Sequence, residues 1–281
     1  MTARLLEGRP VADAIWRDVE QRAAALSSTA GRPPMLGLVA GPDESAAAYA
    51  RQVERQFGRH GLRVARPSAA TLDFAGEVRA FSRDPSIDGV LLLTPLPEGV
   101  DPEAVALAID PSKDVDGQHP HNLGRLAQRR SAFAPATALG GIRLLQHYAV
   151  ALRGAHAVVV GRSPVVGMPM ALLLIDADAT VSVCHSRTQH LAEVTRQADV
   201  LCVAIGRPHL IGPEHIKPGA VVVDFGTNPM PDGAMVGDVQ ADAVRAVAGA
   251  LTPVPGGTGP ITVAVLAQQT LSAAELHLHE R

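Results

Sequence analysis

Apolar positions recur at two spacings along the chain, and the spacing changes several times. Leu5, Val11, Ile15 and Val19 fall at helical intervals and predict an opening amphipathic helix. Residues 35–40 form a short apolar run ending in Gly41-Pro42, a strand followed by a loop. Ser45 stands where an N-cap would open a helix reaching about His60, and Gly61 is placed to stop it. Residues 62–65 and 88–93 read as two further strands, the second closed by Pro95 and Pro97. This alternation of strand and helix predicts a mostly parallel sheet. Further on, residues 157–160, 181–183, 200–204 and 220–223 are β-branched runs at the rhythm of βαβ units in a nucleotide-binding fold. Residues 261–278 predict a long closing helix, and the turn-rich stretch 110–141 separates the two strand groups. The expected fold class is therefore α/β with two domains and a cleft between them, a default place for a ligand.

Composition narrows the function classes. With 47% apolar and 19% charged residues in 281, a sizeable core forms readily, and a disordered chain is excluded. Lys plus Arg is 25 against 28 Asp plus Glu, a formal charge of −3, so the basic excess of a general nucleic-acid binder is missing, although a local basic patch stays compatible with that balance. The 26 Gly and 22 Pro are spread as turns rather than repeats. Residues 1–12 show no apolar leader and no run reaches membrane length, so the expectation is a cytoplasmic protein without a membrane partner. Cys184 and Cys202 lie in apolar runs and read as buried thiols rather than a disulfide. Lysine occurs only at 113 and 217.

The candidate cofactor chemistry starts at the first strand of the second group. Val160 leads into Gly161-Arg162-Ser163-Pro164-Val165-Val166-Gly167, and Met168-Pro169-Met170 opens a helix. Glycines at a strand end and a helix start let a pyrophosphate approach the backbone and the helix N-terminus. The spacing is not G-x-G-x-x-G, and taken alone it fits a tight turn as well as a phosphate cradle. An NAD site places an acidic residue at the end of the next strand to hold the ribose diol. Here that position reads Cys184-His185-Ser186-Arg187-Thr188, without a carboxylate. A hydroxyl and a guanidinium, joined by Arg162 and Ser163, suit a 2′-phosphate, which favours NADP over NAD. The plainer alternative is that Arg162 and Arg187 are solvated surface residues.

Longer motifs then point to a family. GRSPVVGMP, TVSVCHSRT, GAVVVDFGTN, GDV and TPVPGGTGPIT, with DGVLLLTPLP, DPSKDVDGQHPHNLGRL and FAPATALGG in the first half, resemble the methylenetetrahydrofolate dehydrogenase/methenyltetrahydrofolate cyclohydrolase family, the FolD type, in order along nearly the whole chain. The resemblance implies a catalytic, folate-binding domain over residues 1–140, completed by helix 260–281, and a Rossmann-like NADP-binding domain over 141–259. It implies a tetrahydrofolate one-carbon derivative as substrate, with the nicotinamide facing it, and a homodimer formed through the cofactor domain. Tyr49 matches the tyrosine that stacks on the folate, and Asp116, the second Asp of KDVDG, matches the residue that hydrogen-bonds the pterin. Pro255, Gly256, Gly257, Thr258 and Gly259 match the folate loop, with Thr258 where Val is usual. Gly161, Arg162, Ser163 and Ser186 match cofactor residues, and Thr227 occupies a position usually held by Ile. An electron-rich ring suits a flat heterocycle, and a carboxylate accepts paired donors from a 2-aminopterin edge. Read without the family, Tyr49 fits a core residue and Asp116 a turn cap equally well.

The positions matched to the proton-transfer apparatus depart from the pattern. The family's general acid/base is a lysine four residues after the tyrosine, on the same helical face, and here that position is Val53. The glutamine that tunes it is replaced by Leu93, and PCTPxG has become Pro135-Ala136-Thr137-Ala138-Leu139-Gly140. Valine cannot move a proton, Gln52 and Gln56 are amides, and Arg51 and Arg55 stay charged, so none replaces the amine. Hydride transfer depends above all on orientation, whereas hydrolysis of the methenyl ring needs an acid/base. The expectation is NADP-dependent oxidation of 5,10-methylenetetrahydrofolate with cyclohydrolase weak or lost. The alternatives are a dehydrogenase acting on a related folate or one-carbon adduct, and a folate- or NADP-binding paralogue without turnover. His119-Pro120-His121 has no third ligand at metal-site spacing and reads as a turn, so no metal is expected. There is no GxSxG, P-loop or HExxH.

Overall fold

The computed structural model of the chain describes residues 2–67 and 73–279. In chain order the elements are β1 (Arg4–Leu5), α1 (Gly8–Ala30), β2 (Met35–Ala40), α2 (Glu44–Arg59), β3 (Arg63–Ala65), α3 (Phe74–Arg83), β4 (Gly89–Leu93), α4 (Pro102–Ala106), α5 (Pro120–Ala127) and α6 (Ala136–His147). Then follow β5 (His156–Val160), α7 (Gly167–Asp176), β6 (Thr180–Cys184), α8 (Leu191–Thr195), β7 (Val200–Val203), β8 (Val221–Asp224), the short pair β9 (Asn228–Pro229) and β10 (Met235–Val236), α9 (Ala241–Val244), β11 (Ala250–Leu251) and α10 (Gly259–His279). The chain divides into two compact units, Asp13–Ala136 with Val263–Arg281, and Met1–Ala12 with Thr137–Thr262. Among the described residues no helix is long and apolar enough to cross a membrane.

The first unit holds a three-stranded parallel sheet in the order β3-β2-β4. Every residue of β4 is buried, which is why it reads as an unbroken apolar run rather than an alternation. Phe74 and Val78 of α3 join Val39, Val90 and Leu92 in one core cluster. Helix α2 buries Ala46, Ala50, Val53 and Phe57, a stripe at helical spacing. Gln269, buried on α10, donates Nε2–H to Val115 O at 2.6 Å and Ala134 O at 2.9 Å and accepts Ala134 N–H, so one amide pins the two ends of the 115–134 segment.

The second unit holds a six-stranded sheet in the order β1-β11-β8-β7-β5-β6, parallel throughout. The middle strands β5, β7 and β8 are nearly fully buried, while β6 lies on the edge with Val183 exposed. Cys184 and Cys202 are free and buried, and burial pushes the Cys202 thiol up to about 12.

Three local expectations are corrected. Leu5 belongs to β1, not to the opening helix: Arg4 and Leu5 pair with Ala250 and Leu251 of β11, and a two-residue strand is too short to show its own period. Helix α1 still buries Val11, Ile15 and Val19. The cap of α2 is Asp43, whose carboxylate accepts Ser45 N–H and Ala46 N–H, while the Ser45 hydroxyl bonds that same carboxylate. The stretch 110–141 is not all turn. His119 caps α5 by accepting His121 N–H on Nδ1, with Pro120 at the first helical position, and α6 begins at Ala136. The proline that reads as a turn signal fits equally at a helix start, where its missing N–H costs nothing.

Candidate active site

The first unit carries the residues matched to folate chemistry. Tyr49 and Val53 lie one turn apart on α2. Val53 is 0% exposed and Tyr49 only partly exposed at the margin of the buried stripe. Asp116 comes from a segment hydrogen-bonded along β4, the edge strand of the same sheet. Val90 N–H donates to Lys113 O at 2.6 Å and Val90 bridges Asp114, which ties the turn beginning at 114 to β4. Gly117 completes that turn with φ +58, and a Cβ there would meet Phe133 O at 2.7 Å. The phenol of Tyr49 is pushed well above its ordinary range by burial, and further by the charge of Asp116, so the two matched residues lie in one electrostatic neighbourhood.

Asp116 accepts Ala136 N–H on Oδ1 at 3.1 Å and Gln118 Nε2–H on Oδ2 at 2.8 Å. Burial still raises its carboxyl to about 6. Gln118 also donates Nε2–H to Leu92 O at 3.0 Å. Leu93, the last residue of β4, is buried opposite Ala40. Asp114 is fully buried and organises the turn by accepting Gln118 N–H, His119 N–H and Asn122 Nδ2–H. Both lysines of the chain are committed elsewhere: Lys113 Nζ donates to Asp84 O at 2.7 Å, and Lys217 Nζ to Asp199 Oδ1 at 2.6 Å. The surroundings of Tyr49 can therefore stack and hydrogen-bond a flat polar heterocycle, but no lysine amine is supplied to them.

The second unit carries the residues matched to the cofactor. Gly161 follows β5 with φ +125, and a Cβ there would run into Ala204 O. A Cβ on Gly167 would collide with Gly161 O, so the chain turns back tightly at the head of α7. Ser163 Oγ accepts Val166 N–H at 3.2 Å and Gly167 N–H at 3.3 Å, capping that helix start. Because β5 and β6 are neighbours, Gly161, Arg162 and Ser163 share one sheet end with Ser186 and Arg187. Arg162, Ser186 and Arg187 are exposed. Two exposed guanidinium groups at this glycine-lined sheet end suit a phosphorylated dinucleotide. Thr227 lies exposed just after β8.

Residues 255–259 belong to this same unit and launch α10. Gly256 has φ +107 and its carbonyl accepts Gly8 N–H at 2.8 Å. Thr258 is buried, and its carbonyl accepts Ile261 N–H and Thr262 N–H. The sequence singled out none of Gln118, Asp114, Asp224 and Asp238. The last two tie together the loops after β7 and β8, and the only trace of Asp224 in the sequence is a carboxylate ending an apolar strand.

Comparison with known proteins gives one family for both parts of the chain. The family model for the tetrahydrofolate dehydrogenase/cyclohydrolase catalytic domain matches residues 6–116, and that for the tetrahydrofolate dehydrogenase/cyclohydrolase NAD(P)-binding domain matches residues 135–278. The chain is 49% identical over 280 residues to the bifunctional protein FolD of Thermomicrobium roseum, covering 98% of this chain and 96% of that one. It is 45% identical over 283 residues to that of Chloroflexus aurantiacus, covering 99% of each. Among solved structures it resembles the Trypanosoma brucei N5,N10-methylenetetrahydrofolate dehydrogenase-cyclohydrolase, complexed with NADP cofactor and inhibitor, with a TM-score of 0.92, 33% identity and 99% of each chain covered.

Proposed function

The chain belongs to the tetrahydrofolate dehydrogenase/cyclohydrolase family, and from that membership we propose that it oxidises 5,10-methylenetetrahydrofolate to the methenyl form with NADP, while its cyclohydrolase activity is weak or lost. The observation that carries the second half is Val53, a hydrocarbon with 0% exposure one turn from Tyr49, in a chain whose two lysines are both bonded elsewhere.

Tyr49 offers a ring face to the pterin, and Asp116, ionised above about pH 6, accepts its paired N–H donors. By their match to the family motif, Pro255, Gly256, Gly257, Thr258 and Gly259 would serve as the folate loop. Gly161, Arg162 and Ser163, with Ser186 and Arg187, would hold NADP, the guanidinium groups favouring a 2′-phosphate; Thr227, after β8, would be a further cofactor residue. Bound NADP supplies the hydride acceptor. The folate's own nitrogen lone pairs stabilise the cation formed at the one-carbon unit, so the oxidation asks the protein for alignment more than for a proton carrier. Hydrolysis asks for more: water must be activated and a ring nitrogen protonated. Val53 and Leu93 do neither.

We also infer a homodimer built on the second unit. Edge strand β6 exposes Val183, and α7, packed beside it, exposes Met168 and Ile175. A mass in solution equal to one chain removes this part of the reading.

The deciding experiment is a paired assay on purified protein: NADP reduction with 5,10-methylenetetrahydrofolate, and decay of methenyltetrahydrofolate. The expected result is clear NADP reduction and near-background methenyl decay. Hydrolysis as fast as oxidation refutes the assignment of Val53, and no NADP reduction refutes the dehydrogenase.

A further inference from the structure

We propose that Gln118 is a positioning residue for the folate: its side-chain amide locks the Asp116 carboxylate to the end of β4 and so fixes the plane in which the pterin's donors are received. This rests on the reading of Asp116 as the pterin anchor.

The geometry is closed on both sides of the amide. Both Nε2 protons of Gln118 are engaged, one on Leu92 O at 3.0 Å and one on Asp116 Oδ2 at 2.8 Å. Two acceptors flanking the same nitrogen also settle which end of the amide faces them, since the amide oxygen could donate to neither. The backbone of Gln118 is fixed in turn, its N–H donating to the buried carboxylate of Asp114 at 3.0 Å. An unbroken path thus runs from β4 through Gln118 to Asp116, beside Leu93, whose own side chain offers no hydrogen bond.

The consequence lies in what remains free on Asp116. Oδ1 already holds Ala136 N–H and Oδ2 holds the Gln118 amide. One fixed donor on each oxygen stops rotation of the carboxylate about its last bond and leaves each oxygen a further lone pair for a bidentate partner. A ring amidine edge, with an N–H beside an exocyclic amino group, presents two parallel donors of that kind. Holding the acceptor in place beforehand removes an ordering cost from binding. The Gln118 amide also favours the ionised carboxylate, against burial and against the neighbouring Asp114. Among the described residues, the titratable groups that act on or face Asp116 are Asp114 and Tyr49.

The test compares Gln118→Leu, Gln118→Met and Asp116→Asn in steady-state NADP reduction across the acid limb of the pH profile. Gln118→Leu is expected to raise the KM for 5,10-methylenetetrahydrofolate about tenfold, the scale of one hydrogen bond to a charged group. Its kcat should stay within about twofold and its KM for NADP unchanged, while the acid limb of kcat/KM moves to higher pH. A residue that merely supported the fold would lower kcat and thermal stability without moving that limb. Gln118→Met, closer in shape, carries the same expectation, so misfolding of one variant leaves the other to decide. If Asp116→Asn raises the folate KM and neither Gln118 variant does, the role of Gln118 is wrong and the anchor stands. If Asp116→Asn leaves that KM unchanged, the anchor itself is wrong and this inference falls with it.

Discussion

Asp238 donates its backbone N–H to Oδ1 of Asp224 at 3.1 Å, so two buried aspartates are linked in series at the end of the six-stranded sheet. Asp224 also accepts Gly226 N–H and Val239 N–H. The Asp238 carboxylate accepts Ile205 N–H, Gly206 N–H, Arg207 N–H and Asn228 Nδ2–H, all between 2.7 and 3.0 Å. Removing it orphans four donors, three of them on the backbone of a single loop. Asp238→Ala is expected to destabilise the protein by about 3 kcal/mol or more, read from urea unfolding. Asp238→Asn should fall between, since an amide keeps one acceptor oxygen. An Asp238→Ala protein unfolding at the wild-type urea concentration would show the linkage to be incidental.

Asp116 makes stability and binding respond to pH in opposite senses. Burial lifts its carboxyl from 3.8 to about 6, so between those values the folded state holds more protons than the unfolded one. The stability associated with this group is therefore fully present below about pH 4 and is lost as pH rises through about 6. The melting temperature of the wild type minus that of Asp116→Asn should fall over this window. Folate recognition runs the other way, because only the ionised form accepts both donors, so the folate KM should rise below about pH 6. A KM flat across that range contradicts the role given to this carboxylate.

Restoring the amine tests the reading of position 53. Val53→Lys with Leu93→Gln is expected to gain methenyltetrahydrofolate hydrolysis at least tenfold over background, with a proton shuttle and its tuning amide restored together. Because Val53 is fully buried, the new ammonium is desolvated, its pKa falls, and the double variant should be less stable by a few kcal/mol. A folded double variant without added hydrolysis means that the missing amine is not what limits that step.

Arg162 and Arg187 are exposed at adjacent strand ends. Replacing both with alanine should raise the KM for NADP by tenfold or more, on the scale of charge-assisted contacts to a phosphate. The KM for NAD should hardly move, because NAD lacks that phosphate. Equal losses for both dinucleotides would place the two guanidiniums away from the 2′-phosphate.

Elements with a local signal were legible along the chain. Residues 157–160, 200–204 and 220–223 stand out as unbroken β-branched runs because the strands they form are buried on both faces. The missing amine was legible too, since a chain with lysine only at 113 and 217 has no lysine to place at 53. Strand β1 and the cap at Asp43 were not legible, the first being two residues long and the second depending on which of two neighbouring acceptors reaches the helix.

The polar networks beneath both sheets' ends were set by contacts made in the folded chain. Gln118 meets Leu92, and Asp238 meets Ile205 and Arg207, across long stretches of chain. A hydrogen bond of this kind needs one donor and one acceptor at a set distance and leaves no period in the sequence. An amide after a glycine, or a carboxylate before a valine, looks the same whether it faces water or holds a buried turn. Folding chose between those fates by bringing each polar group to partners that no local pattern announces.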